Sequence, residues 1–243
     1  MMTQVWENQK VRWFLVLECL IYIAFMWLDS FSSGVQVSAY LKLLSIGICL
    51  VFLLISVYQS PENKDSRLMA LIMGFTFFSD IFLLLTRQFI IGLILFIVVQ
   101  SLYAIRIHQK LKLTQMLTLA LALIFSLIFF VQWMHQPFGF GLLLALGIFY
   151  ALLFAWNLIW LTYKLSNDAS KTDYSLRLFM LGMVLYALCD INVAIYNFPS
   201  FFTSSPLMTR IYGFSPLGMW LFYLPGQVAL TLSVRRKRDG LDG

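Results

Sequence analysis

The sequence predicts an all-α fold, a polytopic membrane bundle of eight transmembrane helices with both termini cytoplasmic and a possible 4+4 parallel repeat. Three observations predict it. Of the 243 residues, 61% are hydrophobic and only 12% charged, against about 25% charged in an ordinary soluble domain. Seventeen Lys and Arg with 11 Asp and Glu cannot clothe a water-facing surface of that length, so most of the chain faces lipid. Apolar runs of about 20 residues, enough to cross about 30 Å of hydrocarbon, recur near 13–29, 40–58, 68–86, 89–106, 114–132, 139–163, 176–196 and 217–234. Finally, Lys and Arg gather on one side of this pattern, which the positive-inside rule makes the cytoplasmic side.

The elements follow in order. Lys10 and Arg12 precede the first run as they would a signal peptide, but no small-residue cleavage site follows, so the run reads as a retained helix. The second and third runs are separated by the polar turn segment Gln59-Ser-Pro-Glu-Asn-Lys-Asp-Ser66, and the sixth and seventh by Ser166-Asn-Asp-Ala-Ser-Lys-Thr-Asp173. No stretch is left for a soluble domain, so residues 1–243 read as a single transmembrane domain. With eight crossings, every Lys and Arg except Lys42, Arg87 and Arg210 falls in a cytoplasmic tail or turn. The net charge of +6 follows from that orientation and does not point to nucleic acid. Cys19, Cys49 and Cys189 all lie within apolar runs, where they act as small hydrophobes rather than as a disulfide framework.

Against this background two carboxylates are out of place. A carboxylate near the middle of a crossing costs roughly 2.5–3.5 kcal/mol, so it persists where it has a partner or a task. Asp80 sits in Phe75-Thr-Phe-Phe-Ser-Asp-Ile-Phe-Leu-Leu84 and Asp190 in Tyr186-Ala-Leu-Cys-Asp-Ile-Asn-Val-Ala194. Counted from Leu68 and Arg177, they lie about 18 and 20 Å into helices that start on the same side, which puts them in one layer. Two carboxyls sharing a cavity of low dielectric split into a proton donor and an acceptor. The structural alternative is that each carboxyl bonds within the bundle or pairs with Arg87 or Arg210. Glu18, near the cytoplasmic edge of the first crossing, reads as a structural residue that snorkels or meets Lys10 or Arg12.

Further polar residues interrupt apolar segments: Gln100 and Tyr103 in the fourth crossing, Tyr223 and Gln227 in the eighth. Each Gln follows an aromatic by four residues, Phe96 or Tyr223, and so shares its helical face. They complete a site or serve as interhelical hydrogen-bonding glue. A short echo links the halves: Ser79-Asp80-Ile81 followed by Phe96 and Gln100, then Cys189-Asp190-Ile191 followed by Tyr223 and Gln227. An offset of four helices would relate the halves as parallel repeats.

Absences narrow the chemistry. His108 and His135 are expected in turns on opposite faces, which leaves no intramembrane histidine cluster for a metal. The sequence also lacks a Gly-x-Ser-x-Gly elbow and a phosphate-cradling glycine loop. Any catalysis therefore falls to the aspartates.

The pattern Phe78-Ser-Asp-Ile-Phe-Leu-Leu84, Gln88-Phe-Ile-Ile-Gly92 and Phe96-Ile-Val-Val-Gln-Ser-Leu-Tyr103 resembles the core of the YhhN family, which includes lysoplasmalogenases. Leu188-Cys-Asp-Ile191 and Phe222-Tyr-Leu-Pro-Gly-Gln227 are similar to that family's second aspartate motif and terminal Tyr-Leu-Pro-x-Gln. The family usually has Gly where this chain has Ser79, and Ser where it has Cys189. The resemblance implies eight helices, a multi-pass protein of a bacterial cell membrane, and hydrolysis of the vinyl ether bond of lysoplasmalogens to a fatty aldehyde and a glycerophospho-head group. It makes Asp80 and Asp190 the catalytic pair, with Gln100, Tyr103, Tyr223 and Gln227 orienting water or the glycerol oxygens. The substrate is a lysoplasmenyl phospholipid taken from the surrounding membrane lipid.

The chemistry suits two carboxyls. Protonation of the vinyl ether β-carbon gives an oxocarbenium ion that water attacks, which asks for one neutral acid and one carboxylate, as in glycoside hydrolysis, and for no metal or cofactor. A proton-coupled membrane carrier or lipid-binding protein would use the same buried carboxylates as titrating sites, and a membrane scaffold would use them for packing.

Overall fold

A computed structural model describes residues 2–30, 35–108, 126, 128, 138–167, 174–197 and 205–234. Among these, seven helices are formed: α1 (Met2–Ser30), α2 (Val35–Gln59), α3 (Lys64–Leu84), α4 (Phe89–His108), α5 (Phe138–Asn167), α6 (Tyr174–Asn197) and α7 (Pro206–Leu232). Six segments are long and apolar enough to cross a membrane: Gln9–Ser30, Gln36–Gln59, Lys64–Leu84, Phe89–His108, Gly141–Ser166 and Tyr174–Asn197. The protein is thus a multi-pass membrane protein. The expected crossing at 114–132 lies outside the described residues apart from Ser126 and Ile128, both helical, and His135 lies outside them too. The expected last crossing, 217–234, is the C-terminal part of α7. That helix is long enough but less apolar than the six, because Pro216, Gly218, Pro225, Gly226 and Gln227 interrupt its run.

The chain divides into two compact units, one of residues 1–56 with 174–234, the other of residues 57–173 with 235–243. The first unit holds α1, most of α2, α6 and α7. Here α6 and α7 form the most intimate pair, and glycine permits it. A β-carbon on Gly182 would come 3.0 Å from the Gly226 carbonyl, and one on Gly226 would come 3.3 Å from the Gly182 carbonyl. A β-carbon on Gly218 would collide with the Asn192 side chain. Small residues let membrane helices approach where the hydrophobic effect gives little drive. Because Gly182 meets Gly226 and Asn192 meets Gly218, the two helices run antiparallel.

α7 begins far earlier than the sequence suggests, at Pro206, capped by the Ser205 side chain accepting from the Met208 amide. Pro216 reads as a breaker, yet the helix passes through it and through Pro225. Each proline lacks an amide hydrogen and strands the carbonyl four residues earlier. Both stranded carbonyls are met by hydroxyls: Ser215 Oγ donates to Tyr212 O at 2.7 Å, and Tyr22 Oη of α1 donates to Leu221 O at 3.3 Å.

The second unit holds α3, α4 and α5 among the described residues. Asn63 caps α3, its side-chain oxygen accepting from the amides of Asp65 and Ser66 at 3.0 and 3.2 Å. Between α3 and α4 the chain reverses through Arg87, whose φ of 54° is left-handed, and Gln88 N donates to Phe82 O at 2.9 Å. Two contacts fix the register of this antiparallel hairpin. Ser79 Oγ donates to Gly92 O at 2.7 Å, and Arg106 donates through Nε and Nη2 to both Asp65 oxygens at 2.8 Å. α5 packs on α4 through Phe96 against Tyr150 and His108 against Trp160. His108 is therefore the last residue of α4 and not a turn residue, because Lys164 Nζ reaches the Ile107 carbonyl at 3.2 Å and holds the extra turn.

Candidate functional site

The six predicted site residues divide between the units. Asp80, Gln100 and Tyr103 belong to the second, Asp190, Tyr223 and Gln227 to the first.

In the second unit Asp80 is 4% exposed on a membrane-crossing helix. Its position follows from its neighbour. Ser79 is fully buried and bonded to the Gly92 carbonyl, which holds α3 and α4 close through a hydrogen bond. Gln100 and Tyr103, one turn apart on α4, are also fully buried. Gln100 lies about eight residues past Gly92, so it faces a level of α3 about 12 Å nearer that helix's N-terminus than Asp80.

Gln100 meets a residue that the sequence analysis did not single out. Asn157 of α5 is fully buried, and its Nδ2 donates to Gln100 O at 2.8 Å and to Gln100 Oε1 at 3.0 Å. The signal was available: Asn157 interrupts the apolar run Leu152-Leu-Phe-Ala-Trp-Asn-Leu-Ile-Trp160 as plainly as Gln100 interrupts its own.

In the first unit Asp190 is half-buried on α6, next to buried Cys189. Tyr223 of α7 is buried, its ring set edge-on to Tyr186 at 5.6 Å and to Trp220 at 5.5 Å. Gln227 is fully buried, and both its amide nitrogen and its oxygen lack a hydrogen-bond partner among the described residues. It adjoins Gly226, which meets Gly182, about eight residues and 12 Å before Asp190 on α6. In both units the aspartate lies on the first helix of an antiparallel pair and a buried glutamine on the second, about two turns toward the N-terminal end of the aspartate's helix.

Two further polar groups of the first unit depart from expectation. Glu18 does not snorkel or meet Lys10 or Arg12. It is 3% exposed, on the buried stripe of Phe14, Ile21 and Phe25, and accepts from Ser45 Oγ at 2.5 Å and from Cys49 Sγ at 3.6 Å. The reason is that α1 starts at Met2, so Glu18 lies in mid-helix, facing α2. Cys49 also lies against the Thr231 side chain, one turn beyond Gln227. Lys42, an outer-side cation by sequence, is held by Asp29 at 2.7 Å with its ammonium 4.2 Å from the centre of the Trp220 ring. Asp29 accepts in addition from Ser38 Oγ at 2.5 Å.

No curated protein and no solved structure matches the sequence. The sequence profile of the YhhN family matches residues 37–234, a span that takes in both aspartates and both glutamines, and the chain belongs to the YhhN family.

Proposed function

We propose that the protein is an intramembrane hydrolase of the lysoplasmalogenase type, residing in a bacterial cell membrane and cleaving the vinyl ether bond of lysoplasmenyl lipids. The observation that carries this reading is Asp80, a carboxyl buried within a membrane-crossing helix of a YhhN-family chain. Such a group is costly unless it is used. In the proposed reaction one carboxylic acid of the pair Asp80 and Asp190 protonates the β-carbon of the vinyl ether. The resulting oxocarbenium ion is stabilised by the other carboxylate, which also takes a proton from the attacking water. The hemiacetal then collapses to a fatty aldehyde and the alcohol of the glycerophospho-head group, and the proton returns to the acid. Tyr103 and Tyr223, with Gln100 and Gln227, bind the polar part of the substrate, while the apolar helix faces take the alkenyl chain.

The test is aldehyde release by purified protein given lysoplasmenyl lipid and ordinary lysophospholipid side by side. Consumption of the vinyl ether species alone supports the reading. Asp80→Asn and Asp190→Asn should each lower the rate by about 100-fold to 10,000-fold, the usual worth of a general acid or base. Full activity in either variant rejects the pair. Lipid or proton flux across proteoliposomes without any product favours a carrier instead.

A further inference from the structure

The buried couple of Gln100 and Asn157 has an unused half. Asn157 Nδ2 lies 2.8 Å from a backbone carbonyl, which can only accept, so the atom there must be the amide nitrogen. The Gln100 atom 3.0 Å from the same nitrogen must then be its oxygen. Both amide orientations are therefore fixed by a group that cannot flip. What remains is Gln100 Nε2, a donor, and Asn157 Oδ1, an acceptor, each buried and each without a partner among the described residues. Each shares its amide group with an atom of the Nδ2–Oε1 hydrogen bond, so both flank that one contact. A buried polar atom left unpaired costs about 1–3 kcal/mol, so a group that satisfied both would be drawn in. One donor beside one acceptor is the complement of a hydroxyl, which accepts and donates at one oxygen. A carboxylate or phosphate would be repelled by Asn157 Oδ1, and an ammonium by Gln100 Nε2.

We propose that Gln100 and Asn157 form a hydroxyl-binding site within the membrane, which grips the free glycerol hydroxyl of a single-chain lipid entering between α4 and α5. Gln100 Nε2 donates to the hydroxyl oxygen and Asn157 Oδ1 accepts its proton. The identity of this lipid rests on the hydrolase reading; the hydroxyl preference rests on the amide geometry alone. A site of this kind would favour the free hydroxyl, because a lipid with that oxygen capped still accepts from Gln100 Nε2 but has no proton for Asn157 Oδ1, which is left unpaired. The side chain of Asn157 would both orient Gln100 and touch the ligand.

The experiment is competitive binding to the full-length protein in micelles, read by native mass spectrometry. It uses a saturated 1-O-alkyl-lysophosphatidylethanolamine, which has no vinyl ether to cleave, and its 2-O-methyl counterpart. The wild type should prefer the free hydroxyl by about tenfold, the worth of about one net hydrogen bond. Gln100→Leu removes the free donor, which both lipids can use, and should weaken the binding of both. Asn157→Leu removes the free acceptor, which only the hydroxyl can use, and should abolish the preference. Equal binding of the two lipids by the wild type overturns the proposal and leaves the couple an interhelical clamp or the seat of a water. A preference that survives in Asn157→Leu overturns it as well. If the preference is present but the wild type releases no aldehyde from a vinyl ether lipid, the hydroxyl site stands and the hydrolase reading falls.

Discussion

The hydroxyl of Tyr22 donates at 3.3 Å to the carbonyl of Leu221, the acceptor that Pro225 strands in α7. A residue of the first helix thereby repairs a helix near the other end of the chain, and the repair ties α1 to α7. Tyr22→Phe should lower stability by about 1 kcal/mol, the net worth of one hydrogen bond. In a Pro225→Ala background the new amide at 225 can serve Leu221, so Tyr22→Phe should then cost much less. Thermal unfolding in detergent of the four proteins of this cycle measures the difference; an equal cost in both backgrounds would separate the hydroxyl from the proline.

The α6–α7 approach should tolerate no added carbon at Gly182. A β-carbon there would lie 2.6 Å from Leu230 Cγ and 3.0 Å from the Gly226 carbonyl, whereas one on Gly74 of α3 would meet nothing within 4 Å. Gly182→Ala should destabilise by about 1–3 kcal/mol through overpacking. Gly74→Ala should be neutral or gain up to about 1 kcal/mol from helix propensity. Denaturant titration of both variants decides, and similar effects at the two sites would discount the close contact.

Glu18 should matter as a hydrogen-bond acceptor for α2. Glu18→Gln retains an oxygen for the Ser45 hydroxyl and should fold with little loss. Glu18→Leu leaves the buried Ser45 hydroxyl without its acceptor, a loss of about 1–3 kcal/mol. Adding Ser45→Ala to Glu18→Leu should recover part of that loss, since removing both partners costs less than orphaning one. Melting temperatures of the three variants check this, and no recovery in the double variant would contradict it.

At the far end of the α3–α4 hairpin, Arg106 and Asp65 form a two-pronged pair with side chains 8% and 19% exposed. Asp65→Asn and Arg106→Gln should each destabilise, and a double-mutant cycle should give a coupling of about 1–3 kcal/mol, as expected of a partly buried bidentate pair. Arg106→Lys should not restore it, because an ammonium cannot match both carboxylate oxygens. A coupling near zero would mean that Ser79 and Gly92 set the register without help.

Much of the helical organisation was legible in the sequence, because long apolar runs and polar turns are local signals. Among the described residues, six helices long and apolar enough to cross a membrane stand where the runs stand, and the turn before α3 falls at 60–63, inside the polar segment 59–66, with Asn63 as the cap. The early start of α7 was not legible. Pro216 is a breaker by any local rule, and only the hydroxyl of Ser215, held against Tyr212, shows how the helix continues. Likewise Glu18 looked like an edge residue until α1 proved to extend back to Met2.

The sequence by itself determined the solvent in which this protein lives, its helical class, its family and the two carboxyls that lipid should not contain, since each follows from residue type and spacing along one chain. Tertiary structure alone decided which polar residues meet: Asn157 with Gln100, Ser45 and Cys49 with Glu18, Tyr22 with the carbonyl stranded by Pro225. Those partners lie on other helices, and hydrogen bonding acts over about 3 Å, so a pairing of this kind exists only once helix register and approach have been set by small residues such as Gly92, Gly182 and Gly226.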